Sequence, residues 1–266
     1  MVSSPEGSKR FEGHRFPQVI PEPDEVRVGA PAPWSHLSTQ ERTSLSLEKV
    51  LDRRGSSRRS LSSSQPPGDP AEMFAVAHAM DRPITRRSAV LVALFEEGGE
   101  SHVVLTRRSF DLRVHKGEIA LPGGACDPGE ALLDAALRET REEVGIDESM
   151  VRPAAWLSPI VTFASGSAIW PFVGVLPGRP TMVVDPGEVE RAFTVPLAEL
   201  VGDGAFLEER WRRENVRPGS DESGFFPIYF FRVPGDVIWG ATARVLTELL
   251  CIATGVTWPD ANRVWA

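Results

Sequence analysis

Glu139, Glu142 and Glu143 stand at positions i, i+3 and i+4 in the segment GACDPGEALLDAALRETREEVGI, residues 124–146. On a helix this spacing brings three carboxylates to one edge, where each like-charged pair costs a few tenths of a kcal/mol. Two kinds of chemistry tolerate that cost. One is a solvated face, with Arg138 and Arg141 offsetting the charge. The other is a hard-cation site, because Mg²⁺ and its relatives take oxygen ligands from a few carboxylates and from substrate phosphates. At about 100° per residue, Leu133, Ala136, Leu137, Thr140 and Val144 form the expected buried face, leaving the glutamates on an adjacent arc.

The elements that must position this edge are legible on both sides of it. SAVLVALFEE is an apolar, β-branched strand, Gly98-Gly99 a turn, and SHVVLTRRS the returning strand of a hairpin. GEIALPGG is a short strand ending in Gly123-Gly124, and residues 131–144 have helical periodicity with Gly145 as C-cap. Between hairpin and glycines runs a basic loop with Arg107, Arg108, Arg113, His115 and Lys116. Beside a cation–phosphate site, such a loop suits a substrate carrying an extra phosphate. The plainer alternative is that it balances the acidic helix.

Downstream, VRPAAWLSPIVTF, AIWPFVGVLPG, TMVVDP and FFPIYFFRVPG read as strands, and EVERAFTVPLAEL ends in a short helical piece. EERWRRENVRPGSDESG reads as a long polar loop near a sheet edge, suited to shaping a substrate pocket or a homodimer contact. Its Trp211 is a packing residue rather than a base-stacking platform. DVIWGATARVLTELLCIATG reads as an amphipathic helix. Several strands and two main helices imply an α/β fold, a mixed sheet packed between helices.

Residues 1–80 differ, being rich in proline, serine and arginine, and are expected to form a largely disordered extension. Within it, STQERTSLSLEKVLDRRG suits a short helix capped by Ser38 and Glu41 and ended by Gly55. The chain of 266 residues is 41% hydrophobic and 25% charged, enough for a core and typical of a soluble domain. A net charge of −8 argues against binding nucleic acid or an anionic membrane surface. No apolar run reaches membrane-spanning length, and no secretory signal is evident, so the expectation is a cytoplasmic protein. Cys126 and Cys251 show no metal spacing and leave one disulfide open.

Gly124, Glu130 and the run Arg138-Glu139-Thr140-Arg141-Glu142-Glu143-Val144-Gly145-Ile146 fill every fixed position of a pattern, GX5EX7REUXEEXGU, that resembles the Nudix box. Thr140 is a polar choice at an aliphatic position, though the size of valine. The resemblance implies the Nudix fold, an α/β/α sandwich, over residues 81–258. It also implies a hydrolase of nucleoside diphosphates linked to another group. It makes Glu139, Glu142 and Glu143 ligands of Mg²⁺ or Mn²⁺, and pairs Glu130 with Arg138 to hold loop and helix. Glu142 and Glu139 are the first candidates for general base. A further ligand from outside the box is expected, with Glu188 preferred over Glu190, Glu199, Glu208 and Glu209.

The preceding twenty residues, LTRRSFDLRVHKGEIALPGG, are similar to the motif of Nudix coenzyme A pyrophosphatases, with Glu118 at a common glutamine position and Leu121 at that of a phenylalanine. Trp239-Gly240-x-Thr242 at the start of the last helix also resembles that family. The implied reaction splits coenzyme A, or its acyl or oxidised forms, into adenosine 3′,5′-bisphosphate and 4′-phosphopantetheine. Arg108, Arg113, His115 and Lys116, with Gly123 and Gly124, would line the nucleotide side, His115 having loop ordering as an alternative role. The competing expectations are a Nudix hydrolase of another diphosphate such as ADP-ribose, and a non-catalytic nucleotide-binding module.

Overall fold

The computed structural model describes residues 18–52, 59–60, 85–162, 166–212 and 223–258. Among the described residues, thirteen strands and five α-helices run in chain order. β1 (Glu25–Val28), α1 (Thr39–Thr43), α2 (Leu47–Asp52) and β2 (Arg59–Ser60) precede the hairpin β3 (Arg86–Glu97) and β4 (Glu100–Arg108). Then come β5 (Ile119–Ala120), β6 (Gly123–Ala125) and α3 (Leu132–Val144). They are followed by β7 (Arg152–Trp156), β8 (Ile160–Val161), β9 (Ser167–Val175), β10 (Val189–Pro196) and α4 (Leu197–Leu200). β11 (Phe206–Arg212), β12 (Phe226–Val233), β13 (Asp236–Trp239) and α5 (Gly240–Thr254) are the last described elements.

The strands form two sheets. The larger is mixed, with order β10-β4-β3-β9-β7-β2 and with β5, β6 and β8 as short attachments. Its one parallel pair among the described strands joins β3 to β9; the other pairings are antiparallel. The smaller sheet is antiparallel, in the order β1-β11-β12-β13. The centre of β3, residues 89–95, is all apolar because both of its faces are buried there. Ala89, Leu91, Ala93 and Phe95 pack towards α3 with Trp170 and Phe172 of β9. Val92 and Leu94 join the opposite core with residues of α5, Tyr229, Phe231 and Ile238. The large sheet therefore lies between α3 on one face and α5 with the small sheet on the other, the α/β sandwich expected.

Several boundaries differ from the sequence reading. TMVVDP is not a strand. It runs along the end of α3, where Val183 N–H donates to the Val144 carbonyl and Asp185 N–H to that of Glu143. Its backbone thus satisfies helix C-terminal carbonyls instead of a ladder. Asp236–Trp239 is a strand, not the first turn of the last helix. α5 itself is buried nearly all round, Arg244 and Glu248 included. Glu248 accepts from the backbone N–H and hydroxyl of Ser158, which lets a carboxylate sit in the interior. The segment expected to be a polar loop begins as β11, with Trp211 buried and its indole N–H bonded to Glu209; residues 213–222 lie outside the described part.

The N-terminal extension departs furthest from expectation. β1 adds a strand to the small sheet, and Trp34 is 0% exposed, packed against Phe206 and Phe231. The Ser38–Glu41 capping box forms, but the helix breaks after Thr43 and resumes at Leu47 as α2. Residues 18–52 are thus built onto the fold, because one buried tryptophan and a paired strand bring enough apolar surface to offset ordering. The expected Gly55 cap and most of the Ser/Pro-rich linker lie outside the described residues. Cys126 and Cys251 are free thiols. No helix among the described residues is long and apolar enough to cross a membrane.

Candidate active site

The site is assembled where β6, the loop after it and α3 meet the ends of β4 and β10. Gly123 sits at φ 144°, and a Cβ there would lie 2.3 Å from the Ala89 carbonyl oxygen. At Gly124 a Cβ would lie 2.3 Å from a carboxylate oxygen of Glu139. These two glycines are needed because β6 must pair with β3 while the helix carboxylates press against it.

Arg138 is the hub. Its Nε and Nη2 donate to the two carboxylate oxygens of Glu130 at 2.8 and 3.0 Å. Nη2 also donates to the Ala125 carbonyl at 3.0 Å. Nη1 donates to Glu139 at 3.0 Å and to Glu142 at 2.9 Å. Glu130 accepts in addition from the Asp127 N–H at 2.8 Å, so the loop from β6 to α3 is closed on itself. The bidentate guanidinium first, and that backbone donor second, hold the Glu130 carboxyl down at about 2.

The three glutamates do not converge as one edge. α3 buries Leu132, Ala135, Ala136, Thr140, Glu143 and Val144, a face rotated from the expected one, with Leu133 and Leu137 only partly buried. Glu139 and Glu143 lie on that inward face. Glu143 is 3% exposed and accepts from the Gly123 N–H at 3.0 Å. Glu142, whose side chain is 52% exposed, points aside to Arg138. The rotation follows from β6, whose glycines leave room for carboxylates where side chains would otherwise pack. Thr140 is fully buried and its hydroxyl donates to the Ala136 carbonyl at 2.6 Å, which satisfies the polar group at an aliphatic position.

Burial pushes the Glu143 carboxyl up to about 7, against the Gly123 donor and nearby Arg108, and Glu188 and Glu139 add repulsion. Burial also raises Glu139, outweighing Arg138, with further repulsion from Glu188 and Glu142. Glu188 is thus the outside glutamate that both inward carboxylates feel. Three of its four rivals are engaged elsewhere: Glu190 with Arg107, Glu208 with Arg210 and Glu209 with Trp211, while Glu199 lies on α4. Among the described residues no three acidic, His or Cys side chains already stand as a closed metal cage. The donor set still fits a hard cation. Desolvated carboxylates that repel one another are relieved by positive charge, and Mg²⁺ or Mn²⁺ completes its shell with water and phosphate oxygens. Glu139, Glu143 and Glu188 would hold it, with Glu142 at the solvent side.

The basic residues divide. Arg108 turns towards the helix, its guanidinium 3.8 Å from Glu143. Arg107 turns the other way and is buried against Asp236 and Glu190. Arg113, His115 and Lys116 are exposed on the loop between β4 and β5. His115 has a left-handed backbone, φ 58°, and its Nδ1 lies 3.0 Å from Glu118. That bond raises the His115 pKa. Its neighbour Gly117 has φ 66° and a Phe110 ring carbon 2.5 Å from where a Cβ would stand. The His115–Glu118 contact lies within the loop, the geometry that a loop-ordering role for His115 requires. Cys126 is half-buried and burial raises its thiol, which leaves it a poor nucleophile. Asp236 and Arg191, described below, carried no sequence signal, because their partners are far away along the chain.

A model of the NUDIX domain matches residues 85–218. Nudix hydrolase 3 of Caenorhabditis elegans is 30% identical over 173 residues, 62% of this chain and 72% of that protein. A Photorhabdus laumondii protein described as an uncharacterized Nudix hydrolase is 33% identical over 167 residues, 62% of this chain and 83% of that one. Nudix hydrolase 15 of Arabidopsis thaliana is 35% identical over 175 residues, 62% of this chain and 58% of its own. The family model spans the loop, the glycines, the acidic helix and Glu188 together, and the chain belongs to the Nudix family of hydrolases, enzymes that cut pyrophosphate linkages with divalent cations.

Proposed function

We propose that the protein hydrolyses the pyrophosphate bond of coenzyme A or its acyl or oxidised derivatives, releasing adenosine 3′,5′-bisphosphate and 4′-phosphopantetheine. The observation that carries this reading is the basic loop, LTRRSFDLRVHKGEIALPGG, which resembles the coenzyme A motif. Arg113 and Lys116 are exposed on it and, among the described residues, make no ion pair. Arg108, from the end of β4, faces Glu143. A substrate with a phosphate beyond the pyrophosphate uses such a second set of cations.

When bound, a divalent cation neutralises the pyrophosphate, orients an attacking water and lowers its pKa. The chain's own residues do the rest. Gly123 N–H fixes the Glu143 carboxylate, and Arg138 fixes Glu139 and Glu142 so that no reorganisation is needed at the moment of reaction. Glu142, near solvent, and Glu139 are the first candidates to accept the water's proton. Arg108, beside Glu143, supplies charge to the phosphate oxygens as negative charge develops.

The test is incubation of the purified protein with coenzyme A, ADP-ribose and a nucleotide panel in Mg²⁺ or Mn²⁺, with products identified by mass spectrometry. Adenosine 3′,5′-bisphosphate and 4′-phosphopantetheine are the expected products. Coenzyme A left intact while ADP-ribose is cleaved would replace the reading with a hydrolase of another nucleoside diphosphate derivative. Absence of any turnover would favour a nucleotide-binding module, although the intact Glu130, Arg138, Glu139, Glu142 and Glu143 speak against that.

A further inference from the structure

Asp236 opens β13 in the small sheet, is 1% exposed, and accepts from two guanidinium groups of the large sheet, Arg107 of β4 and Arg191 of β10. Arg107 Nε also lies 3.4 Å from Glu190. The four residues come from three strands and form an ion cluster at the seam between the sheets, with Arg107 and Asp236 buried and Arg191 and Glu190 reaching solvent. An aspartate so enclosed is costly unless fully paired, and a hydrophobic seam would pack at lower risk. The location suggests what the cluster does.

Arg107 and Arg191 are directly opposed across β4 and β10, and so are Arg108 and Val189, so Glu190 is an extra residue in β10, a β-bulge. A bulge bends its strand and re-aims the residues next to it. Asp236 ties both opposed arginines, while Glu190 is held by Arg107, so the bulge is fixed from both sides. Immediately beyond it the chain delivers Glu188, whose carbonyl accepts from Ser109 N–H at 2.8 Å. Ser109 follows Arg108, the residue that faces Glu143. The cluster thus grips the strand ends from which both Arg108 and Glu188 project towards the acidic helix.

We infer that Asp236, through Arg107 and Arg191, is a positioning residue that sets Arg108 and Glu188 against the Glu139–Glu143 pair. The inference rests on the roles proposed for Arg108 and Glu188 but not on which diphosphate is cleaved. A misplacement of about 1 Å at a reacting centre costs up to about a hundredfold in rate, whereas loss of a cluster that only stabilises lowers the melting temperature without changing how the site residues act.

The experiment is a double-mutant cycle of Asp236→Asn with Arg108→Ala, read as kcat/KM on whichever diphosphate of the panel the protein cleaves. A parallel cycle of Asp236→Asn with Glu188→Gln is read as Mn²⁺ affinity by electron paramagnetic resonance. Asp236→Asn alone is expected to lower kcat/KM about tenfold, and Arg108→Ala to cost at least fivefold less in that background than in the wild type. Glu188→Gln is likewise expected to weaken Mn²⁺ binding less when Asp236 is absent. Additive effects in both cycles, or a wild-type rate for Asp236→Asn, would overturn the inference. Should Asp236→Asn fail to fold, Arg191→Met takes its place, since the Arg191 side chain is 44% exposed and its removal leaves Arg107 on the aspartate. If no diphosphate is cleaved, the proposed function fails, and the Mn²⁺ cycle alone decides the positioning role.

Discussion

At the scale of single residues, Arg138 shows how much one guanidinium can organise. It ties loop to helix through Glu130 and bridges Glu139 and Glu142, donating to both from one nitrogen. Glu142→Gln is expected to lower kcat at least a hundredfold with a melting temperature close to that of the wild type, because the carboxylate is exposed and buries nothing. A nearly normal rate would refute its role. Glu130 gives a pH signature. Its folded-state pKa is depressed, so its pairing stabilises the protein above the ordinary carboxylate range and is lost as pH falls towards about 2. Glu130→Gln should therefore cost about 1 kcal/mol at neutral pH, after allowance for solvent screening. The gap between variant and wild type should close in urea titrations carried out at progressively lower pH. A gap that persists at the acid end would show that Glu130 acts by packing instead of charge.

Among elements, β6 and α3 act as one unit, since the helix cannot present Glu139 and Glu143 inward unless the strand beside it lacks side chains. The two glycines divide the work, and substitution separates them. Gly123→Ala is expected to cost about 1–3 kcal/mol of stability, from its positive φ and from collision with the Ala89 carbonyl. Gly124→Ala meets the end of a glutamate side chain that can swing away. It should cost less stability, but at least tenfold in kcat/KM, by displacing Glu139. Thermal melts and kinetics on the same two variants check this, and equal loss of both properties in both variants would refute the division. The helix was legible from its period and from Gly145, which caps it at φ 71°. Which arc of it turns inward was not, because Leu133 and Leu137 looked like better core residues than Glu143. The sheet partner, invisible to local periodicity, made the choice.

On the scale of the whole molecule, the fold depends on segments that composition marked as dispensable. Trp34 fills a site between Phe206 and Phe231, and β1 covers the edge of β11. Trp34→Ala is expected to destabilise the protein by about 3–5 kcal/mol, the range for large aromatic deletions in cores. A chain beginning after residue 52 should melt well below the 266-residue chain; equal melting temperatures would mean that these contacts contribute nothing. Proline and serine content hid this because the average over eighty residues dilutes one tryptophan and a four-residue strand. The sequence by itself determined the hairpin and the glycine cap of α3, since each rests on contacts made within a few turns of chain, and its motif, by resemblance, the reaction family and the pairing of Glu130 with Arg138. Only the tertiary structure decided that Glu142 stays at the solvent side while Glu139 and Glu143 turn inward, and that Asp236 binds Arg107 and Arg191. Those outcomes depend on which strands become neighbours, and burial energy is settled over the whole core, not along any one stretch of sequence.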